Sequence, residues 1–196
     1  MSERLTAVTL ASASPRRLEL LRGLGLAVTV VRSSYDEDNT LAPGMTPAAL
    51  AQFHAEGKAA AAESHGPPVL IAADTVVDVG GVALGKPRDA ADARRMLELL
   101  SGREHRVHTG FAVIDRARMR QSSGVESTSV RFLPLSAARI RSYVDSGEPM
   151  DKAGAYGIQG QGALNVASVN GDFYAVMGLP LARLGLVFAD LGFEVA

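Results

Sequence analysis

Residues 5–17 read LTAVTLASASPRR, and this stretch gives the first indication of the fold. The apolar run 5–11 predicts a central β-strand. Ser14 followed by Pro15 predicts that a helix starts directly after it, because Ser is a preferred N-cap residue and Pro is preferred at the first helical position. A strand that leads straight into a helix is typical of an α/β protein.

Elements of both kinds continue along the chain of 196 residues. Helices are predicted over residues 46–64, 89–100, 136–145 and 181–190, and strands over 27–31, 69–73, 106–114, 125–133, 164–169 and 173–176, with a hairpin at 76–84. Strands alternate with helices in the first half, and the second half is rich in hairpins. This order predicts an α/β fold with a mixed twisted sheet flanked by helices. The length predicts a single domain, residues 1–196.

The composition excludes several classes of protein. It is 47% hydrophobic and 21% charged, and its 20 basic and 21 acidic residues give a net charge of -1. A general nucleic-acid binder carries a large basic excess, so no nucleic-acid partner is expected. Because the chain has no cysteine, a disulfide scaffold, a zinc finger and thiol catalysis are excluded. Neither a secretory signal pattern nor an apolar run of about 18 residues is present, which predicts a cytoplasmic protein without a membrane partner.

A candidate phosphate site lies at the start of the first helix, where Ser14 is followed by Arg16 and Arg17. A helix N-terminus offers unpaired backbone N–H groups and the positive end of the helix dipole, and two guanidinium groups add charged donors. An ordinary capped helix with two solvated arginines explains the same residues. The sequence leaves both interpretations open.

The second candidate site is Asp74-Thr75, predicted at the end of the very apolar strand 69–73. Ligands bind at the carboxyl ends of strands in open α/β sheets, and a carboxylate there can hold Mg²⁺ or take a proton from water. The alternative is a strand-end turn in which Asp74 caps local N–H groups. Since the chain has no Cys and no suitably spaced His pair, any metal is expected to be Mg²⁺ or Mn²⁺, held by carboxylates and substrate phosphates.

Two stretches containing glycine differ in what they indicate. Residues 80–87, GGVALGKP, match the spacing of a P-loop, but Pro87 stands where that motif needs Ser or Thr, so we reject this interpretation. Lys86 can still reach a phosphate as a single point charge. Residues 151–160, DKAGAYGIQG, allow close approach of the backbone to a ligand, while Tyr156 offers a stacking surface and the Gln159 amide can read the edge of a base. A tight connection that uses glycine for its turns is the alternative.

The distribution of basic residues gives a further hint. Seventeen of the 20 are Arg, and the three lysines are Lys58, Lys86 and Lys152. A compact ammonium on a flexible stem differs from a wide planar guanidinium, so lysines in an Arg-rich chain can mark places where only an ammonium fits. Chance retention is the alternative.

Together these segments resemble the Maf family of nucleotide pyrophosphatases. In chain order the resemblance rests on LASASPRR (10–17), ADT (73–75), GKP (85–87), LSG (100–102), DKAGAYGIQG (151–160), GDF (171–173) and GLPL (178–181). It implies a fold like that of inosine triphosphate pyrophosphatases, with two lobes and a central cleft. It also implies hydrolysis of nucleoside triphosphates to monophosphate and pyrophosphate, with Mg²⁺ and in a homodimer. Residues 151–160 resemble the branch that acts on dTTP and UTP.

The resemblance also assigns roles to single residues. Asp74 matches the family's proton acceptor, and Glu37 matches a charged residue that lines the cleft, here in a predicted acidic loop with Asp36 and Asp38. From this resemblance we expect Asp74 and Glu37 to activate water or hold the metal. Positions that set substrate choice are matched by Arg16, Thr75 and Gln159. The basic residues expected to bind phosphates are Arg16, Arg17, Lys58 and Lys86.

Two other functions would use the same residues. A non-catalytic nucleotide-binding regulator, linked to cell division for example, would bind a triphosphate without releasing pyrophosphate. A nucleotidyltransferase would need an acceptor sugar or alcohol phosphate, and the glycine-rich first loop usual in that class is absent from the sequence. Cleavage between the α- and β-phosphates depends mostly on positioning and electrostatic stabilisation, which these residue types can supply. A hydrolase of the pyrophosphatase type is therefore the preferred interpretation.

Overall fold

A computed structural model of the chain describes residues 2–37 and 44–195. Asp38 of the predicted acidic loop lies outside these residues. Within the described ranges the strands are β1 (Glu3–Leu5), β2 (Ala7–Leu10), β3 (Ala27–Val30), β4 (Val69–Val79), β5 (Val82–Leu84), β6 (Glu104–Asp115), β7 (Arg120–Phe132), β8 (Val166–Asn170) and β9 (Phe193–Val195). The α-helices there are α1 (Pro15–Gly23), α2 (Pro47–Ala60), α3 (Ala90–Leu100), α4 (Ala137–Asp145), α5 (Phe173–Met177) and α6 (Leu181–Asp190). Short 3-10 turns occupy Glu148–Asp151, Ala153–Ala155 and Gly160–Asn165.

Seven of these strands form one mixed sheet. Its order is β3-β2-β4-β6-β7-β8, and β5 pairs with β4 outside this path. β2 is parallel to both β3 and β4, whereas β4, β6, β7 and β8 pair antiparallel in turn. β1 and β9 form a separate parallel pair. The prediction of a mixed α/β sheet flanked by helices is confirmed.

Helices cover both faces of the sheet. Side chains along β4 alternate between these faces, so the strand packs against helices on each side. Leu70 and Ala72 pack on the side of α2, whereas Ile71 packs with residues of α1 and α6 on the other side. α2 lies close to the sheet because Gly110 of β6 has no side chain: a Cβ there would be 2.2 Å from the carbonyl oxygen of Ala51.

A second apolar cluster lies at the other end of the long strands β4, β6 and β7, where α3 and α4 cover the sheet. This cluster and the one that contains Ile71 and residues of α1 and α6 form two lobes. Met177 of the cluster with α1 and α6 and Val77 of the cluster with α3 and α4 both line a cleft between them. No helix within residues 2–37 and 44–195 is long and apolar enough to cross a membrane.

The predicted strand over residues 173–176 is wrong, since this segment forms the short helix α5. The Asp172 side chain accepts hydrogen bonds from the N–H groups of Tyr174 and Ala175, which caps the helix, and Gly178 ends it with a positive φ of 116°. The predicted helix 46–64 also ends earlier, at Ala60. The C-terminal strand β9 was not predicted, because its short pairing with β1 joins the two ends of the described chain.

The prediction that Asp74 lies at the end of a strand is also wrong. β4 runs without interruption from Val69 to Val79, so Asp74 and Thr75 lie in its middle. The strand that pairs with β4 along this edge does change. β2 pairs with β4 only as far as Ile71, and β5 begins to pair with β4 at Val77. Asp74 therefore lies in a gap between two neighbouring strands, which leaves room for a ligand beyond the carboxyl end of β2.

Candidate functional site

The gap beside β4 opens into a cleft of about 840 Å³, a volume typical of small-molecule sites. The loop before α1, the segment after β3 and the glycine-rich segment 151–160 form its walls. The cleft is lined by the nine residues expected to act in catalysis or substrate binding, which are Ser14, Arg16, Arg17, Glu37, Lys58, Asp74, Thr75, Lys86 and Gln159. Their individual roles in binding and catalysis stay predictions. Tyr156, expected to offer a stacking surface, is only 5% exposed, and its ring packs against His105 and Phe132.

Lys58 lies between two carboxylates at the floor of this cleft. Its Nζ is 2.6 Å from Oδ1 of Asp74 and 2.8 Å from Oε1 of Glu37. Asp74 is only 6% exposed and Lys58 only 8%. Burial opposes ionisation of Glu37, but the hydrogen bond and charge of Lys58, assisted by Lys86 and Arg17, lower the pKa of this carboxyl below 4.5. The three side chains form a compact group of one cation and two anions.

The position of Lys58 depends on Gly57, the preceding residue of α2. A Cβ on Gly57 would lie 2.2 Å from Cε2 of Tyr35, so the Tyr35 ring occupies the space where a side chain would be. The hydroxyl of Tyr35 in turn lies 2.9 Å from Nδ1 of the buried His54. Glycine within a helix is unfavourable by itself, but here it lets the segment after β3, which carries Glu37, approach Lys58.

Arg17 is buried and its guanidinium is directed toward protein acceptors. Nε donates to the carbonyl oxygen of Gly178 at 2.7 Å, Nη1 to Oγ of Ser12 at 3.0 Å and Nη2 to Oγ1 of Thr75 at 3.2 Å. Burial lowers the pKa of Arg17, while the nearby charges of Asp74 and Glu37 raise it. Arg17 therefore joins α1, β4 and the end of α5, and its geometry favours organising the cleft over binding a phosphate.

Thr75 continues this hydrogen-bond network to the neighbouring strand. Its Oγ1 lies 3.0 Å from Oγ1 of Thr109 on β6, and Thr109 donates to the carbonyl oxygen of Ala175 at 2.7 Å. The side chains of Asp74 and Thr75 point to opposite faces of β4. Asp74 therefore meets Lys58 of α2, and Thr75 meets Arg17 of α1.

Arg16 and Asp151 form an ion pair between the start of α1 and the segment 151–160. Nη1 of Arg16 is 3.1 Å from Oδ2 of Asp151, and Nζ of Lys152 is 2.6 Å from Oδ1 of the same carboxylate. Burial opposes ionisation of Asp151, but these two cations lower its pKa. Asp151 and Lys152 also line the cleft, although neither was given a role of its own from the sequence. The rarity of lysine does point to Lys152, and all three lysines line this cleft.

Ser14, Lys86 and Gln159 lie at the mouth of the cleft. Ser14 occupies the predicted N-cap position of α1, but its hydroxyl makes no capping hydrogen bond to the helix. Lys86 is exposed, and the turn that carries it is held to the opposite wall by a hydrogen bond from the N–H of Gly154 to the carbonyl oxygen of Gly85, 3.0 Å long. Gln159 is exposed between Gly157 and Gly160. These three side chains are placed where an incoming ligand would meet them.

The residues around Asp74 suit a hard cation only in part. In the described part of the chain, no three His, Asp and Glu side chains are close enough together to hold a metal ion. Asp74 and Glu37 supply carboxylate oxygens on either side of one cation, the Lys58 ammonium. Mg²⁺ is commonly bound by one or two carboxylates together with substrate phosphates and water. The site therefore fits a metal that arrives with a polyphosphate.

Comparison with known proteins identifies close relatives over nearly the whole chain. The model of the Maf-like protein family matches residues 7–191. The dTTP/UTP pyrophosphatase of Carboxydothermus hydrogenoformans is 46% identical over 187 residues, which cover 95% of this chain and 99% of that protein. The human probable bifunctional dTTP/UTP pyrophosphatase/methyltransferase protein is 46% identical over 89% of this chain and 30% of its own length. A solved nucleoside-triphosphatase / dITP/XTP pyrophosphatase from Mycobacterium abscessus aligns over 95% of this chain and 94% of its own, with a TM-score of 0.42 and 14% identity, a likeness too weak to bear on function.

Proposed function

Because the chain belongs to the Maf-like protein family, we propose that it is a nucleoside triphosphate pyrophosphatase that hydrolyses dTTP and UTP. Relatives named dTTP/UTP pyrophosphatase that are 45–46% identical over more than nine-tenths of the chain support the choice of substrates. The products would be the nucleoside monophosphate and pyrophosphate.

The observation that carries the proposal is the buried Asp74 carboxylate in contact with Lys58 at the floor of a cleft lined by cations. A triphosphate brings several negative charges, which the cations at the mouth and floor can neutralise. They are Arg16, Lys58, Lys86 and Lys152. A carboxylate among these cations can accept a proton from a water that attacks such a ligand.

In the proposed reaction, the oxygen of a water molecule attacks the α-phosphorus and forms a new P–O bond. The bond from the α-phosphorus to the oxygen that bridges to the β-phosphate breaks, and its electron pair leaves with pyrophosphate. Asp74 accepts the proton that the water loses. Phosphate oxygens would compete with Asp74 and Glu37 for Lys58, and a Lys58 that turns to the substrate leaves the Asp74 carboxylate free to act as the base.

The remaining residues would bind and orient the substrate. Lys86 and Arg16 offer charged donors at the mouth of the cleft, and Gln159 offers an amide that can both donate to and accept from a pyrimidine base. We propose that Asp74 and Glu37 would hold a divalent cation, Mg²⁺ or Mn²⁺, together with the phosphates. Such a cation would supply positive charge to the leaving pyrophosphate.

Pyrophosphate release from a panel of ribo- and deoxyribonucleoside triphosphates tests the proposal. We expect release that is greatest with dTTP and UTP, requires Mg²⁺ or Mn²⁺, and stops when a chelator is added. Release of orthophosphate alone would contradict cleavage between the α- and β-phosphates. Nucleotide binding without any release would instead support a regulator, and release only with an acceptor alcohol phosphate would support a nucleotidyltransferase.

Assembly as a homodimer stays a prediction. Size-exclusion chromatography with light scattering would test it, and a mass near 20.5 kDa, that of one chain, would contradict it.

A further inference from the structure

Glu148 lines the cleft beside the glycine-rich segment 151–160 and is hydrogen-bonded to the residues that follow this segment. Its Oε2 accepts from the N–H of Gln161 at 2.9 Å, and its Oε1 accepts from the N–H of Gly162 at 3.0 Å. The hydroxyl of Tyr143 on α4 also donates to Oε1, at 3.0 Å. One carboxylate therefore fixes two backbone groups just after Gln159 and is itself anchored to a helix.

The same two residues also fix the segment before Gln159. The Tyr143 hydroxyl accepts from the N–H of Gly157 at 3.1 Å, and the backbone carbonyl of Glu148 accepts from Nζ of Lys152. Gln159 thus lies in a short bend whose two ends are tied to Glu148 and Tyr143. Since its own side chain is exposed in the cleft, the position of that side chain depends on how firmly the bend is held.

Two glycines of the bend lie so close to Glu148 and Tyr143 that a side chain at either position would clash. Gly160 has a φ of +63°, and a Cβ there would be 2.8 Å from Oε2 of Glu148. A Cβ on Gly162 would be 2.6 Å from the Tyr143 hydroxyl and 2.2 Å from the carbonyl oxygen of Gly157. The glycines therefore let the backbone close tightly around the Glu148 carboxylate and the Tyr143 hydroxyl.

Glu148 is also in the ionised state that this arrangement needs. Burial opposes its ionisation, but the N–H groups of Gln161 and Gly162, together with Tyr143 and Lys152, lower its pKa. Both oxygens of an ionised carboxylate are acceptors and neither carries a proton to donate, which matches the three donors that converge on Glu148.

We propose that Glu148 is a positioning residue that holds Gln159 in place to recognise the base, and so sets the preference for a pyrimidine with the edge of uracil or thymine. This inference rests on the proposed pyrophosphatase function. Cytosine presents an amino donor where thymine presents a carbonyl acceptor, so a Gln159 amide fixed in one orientation distinguishes them. A bend that is no longer held lets the amide rotate and accept either base.

The test is the ratio of kcat/KM for dTTP to kcat/KM for dCTP in Glu148→Gln. The new amide would place an NH₂ donor against a backbone N–H, so at least one of the two backbone contacts is lost. We expect the ratio to fall about tenfold to a hundredfold, since small misplacements of positioning groups have effects of this size. Tyr143→Phe removes the contact to Gly157 and one donor to Glu148 but leaves both backbone contacts of the carboxylate in place, so it should lower the ratio less. Glu98→Gln, on the exposed side of α3, is the matched control and should leave the ratio unchanged.

The ratio separates positioning from a general loss of stability, because both constants scale equally with the fraction of folded enzyme. A second comparison uses Gln159→Ala as background: if Glu148 acts through Gln159, adding Glu148→Gln should lower the ratio no further. A ratio in Glu148→Gln within about twofold of wild type, or an equal further loss in the Gln159→Ala background, would overturn the proposal.

Binding of dTTP and dCTP analogues with an imido group between the α- and β-phosphates repeats the comparison without catalysis. If the wild-type protein prefers the thymine analogue but releases no pyrophosphate from dTTP, the proposed function fails. The binding comparison then still tests the role of Glu148. The ratio of the two Kd values in Glu148→Gln should then fall as the kinetic ratio would, and an unchanged Kd ratio would contradict the proposal.

Discussion

The Nζ of Lys58 and Oδ1 of Asp74 lie 2.6 Å apart, and both side chains are almost fully buried. Glu37 completes the group at 2.8 Å from the same Nζ. A buried charge without a partner is strongly destabilising, so Lys58 and Asp74 each need a partner, and Lys58 has a second one in the more exposed Glu37. Substitutions at the three positions should therefore have effects that do not add.

Asp74→Asn should lower kcat for pyrophosphate release by about 10²–10⁴-fold, the usual contribution of a general base. Stability should change little, because Lys58 keeps Glu37 as a partner. The measurement is kcat with saturating dTTP, together with Tm. Asp145→Asn, an exposed aspartate at the end of α4, is the matched control and should keep wild-type kcat. If Asp74→Asn kept more than about a tenth of wild-type kcat, less than ~1.4 kcal/mol would be lost and Asp74 would not be the base.

Lys58→Met should lower Tm more at pH 7 than in acid. In the wild type the pKa of Glu37 is below its unfolded value of 4.5, chiefly through Lys58 acting against burial. This lowered pKa contributes stability above pH 4.5 that is lost as the pH falls through the folded pKa. The variant lacks that contribution, so its Tm should approach the wild-type Tm as the pH falls.

Thermal unfolding of both proteins between about pH 7 and pH 3.5 measures this convergence. Lys86→Met is the matched control, because Lys86 is exposed at the mouth of the same cleft. It should lower Tm much less at either pH. A Tm difference for Lys58→Met that stayed constant across the range would show that its charge is not linked to the ionisation of Glu37.

Much of the fold could be predicted from local signals in the sequence. Ser-Pro at residues 14–15, Thr-Pro at 46–47 and Asp89 each mark a helix start that the structure has, because such signals depend on a few neighbouring residues. Thr46 and Asp89 cap their helices through their side chains, whereas at residues 14–15 the proline is the signal that holds. The short helix α5 was not predicted, although Asp172 stands directly before it and caps it. The helix there is only one turn long, so periodicity could not reveal it.

The candidate site was predictable by residue type but not by arrangement. Asp74 and Thr75 could be identified as polar residues in an apolar run, yet the gap beside them arises from where β2 ends and β5 begins. The same applies to Arg17: its charge indicated a phosphate, whereas contacts with Gly178 and Thr75, distant in sequence, assign it a place in the wall. Such contacts depend on the packing of whole elements and leave no local pattern.

Arg17→Met should destabilise the protein and impair the site together. The substitution removes the donor to the buried carbonyl oxygen of Gly178, and an unsatisfied buried acceptor costs about 1–3 kcal/mol. It also releases Thr75 from one of its partners, so KM for dTTP should rise. Urea denaturation and steady-state kinetics measure the two effects.

Arg22→Met on the exposed side of α1 controls for loss of charge from the same helix and should change neither quantity appreciably. A higher KM with unchanged stability in Arg17→Met would favour direct contact between Arg17 and phosphate, as the sequence indicated. Loss of stability with a small change in KM would favour the organising role that its hydrogen bonds support.

The same substitution, Gly→Ala, should have opposite effects in α2 and α6. In an exposed helix interior it stabilises by up to about 1 kcal/mol, and Gly185 in α6 has no atom within 4 Å of a new Cβ, so Gly185→Ala should raise stability. In α2 the new Cβ of Gly57→Ala would lie 2.2 Å from the Tyr35 ring, which must move. The ring carries the hydroxyl that contacts His54, and it lies beside the segment that brings Glu37 to Lys58. Gly57→Ala should therefore lower both Tm and kcat, and a gain in stability like that of Gly185→Ala would show that Tyr35 does not pack against α2 as described.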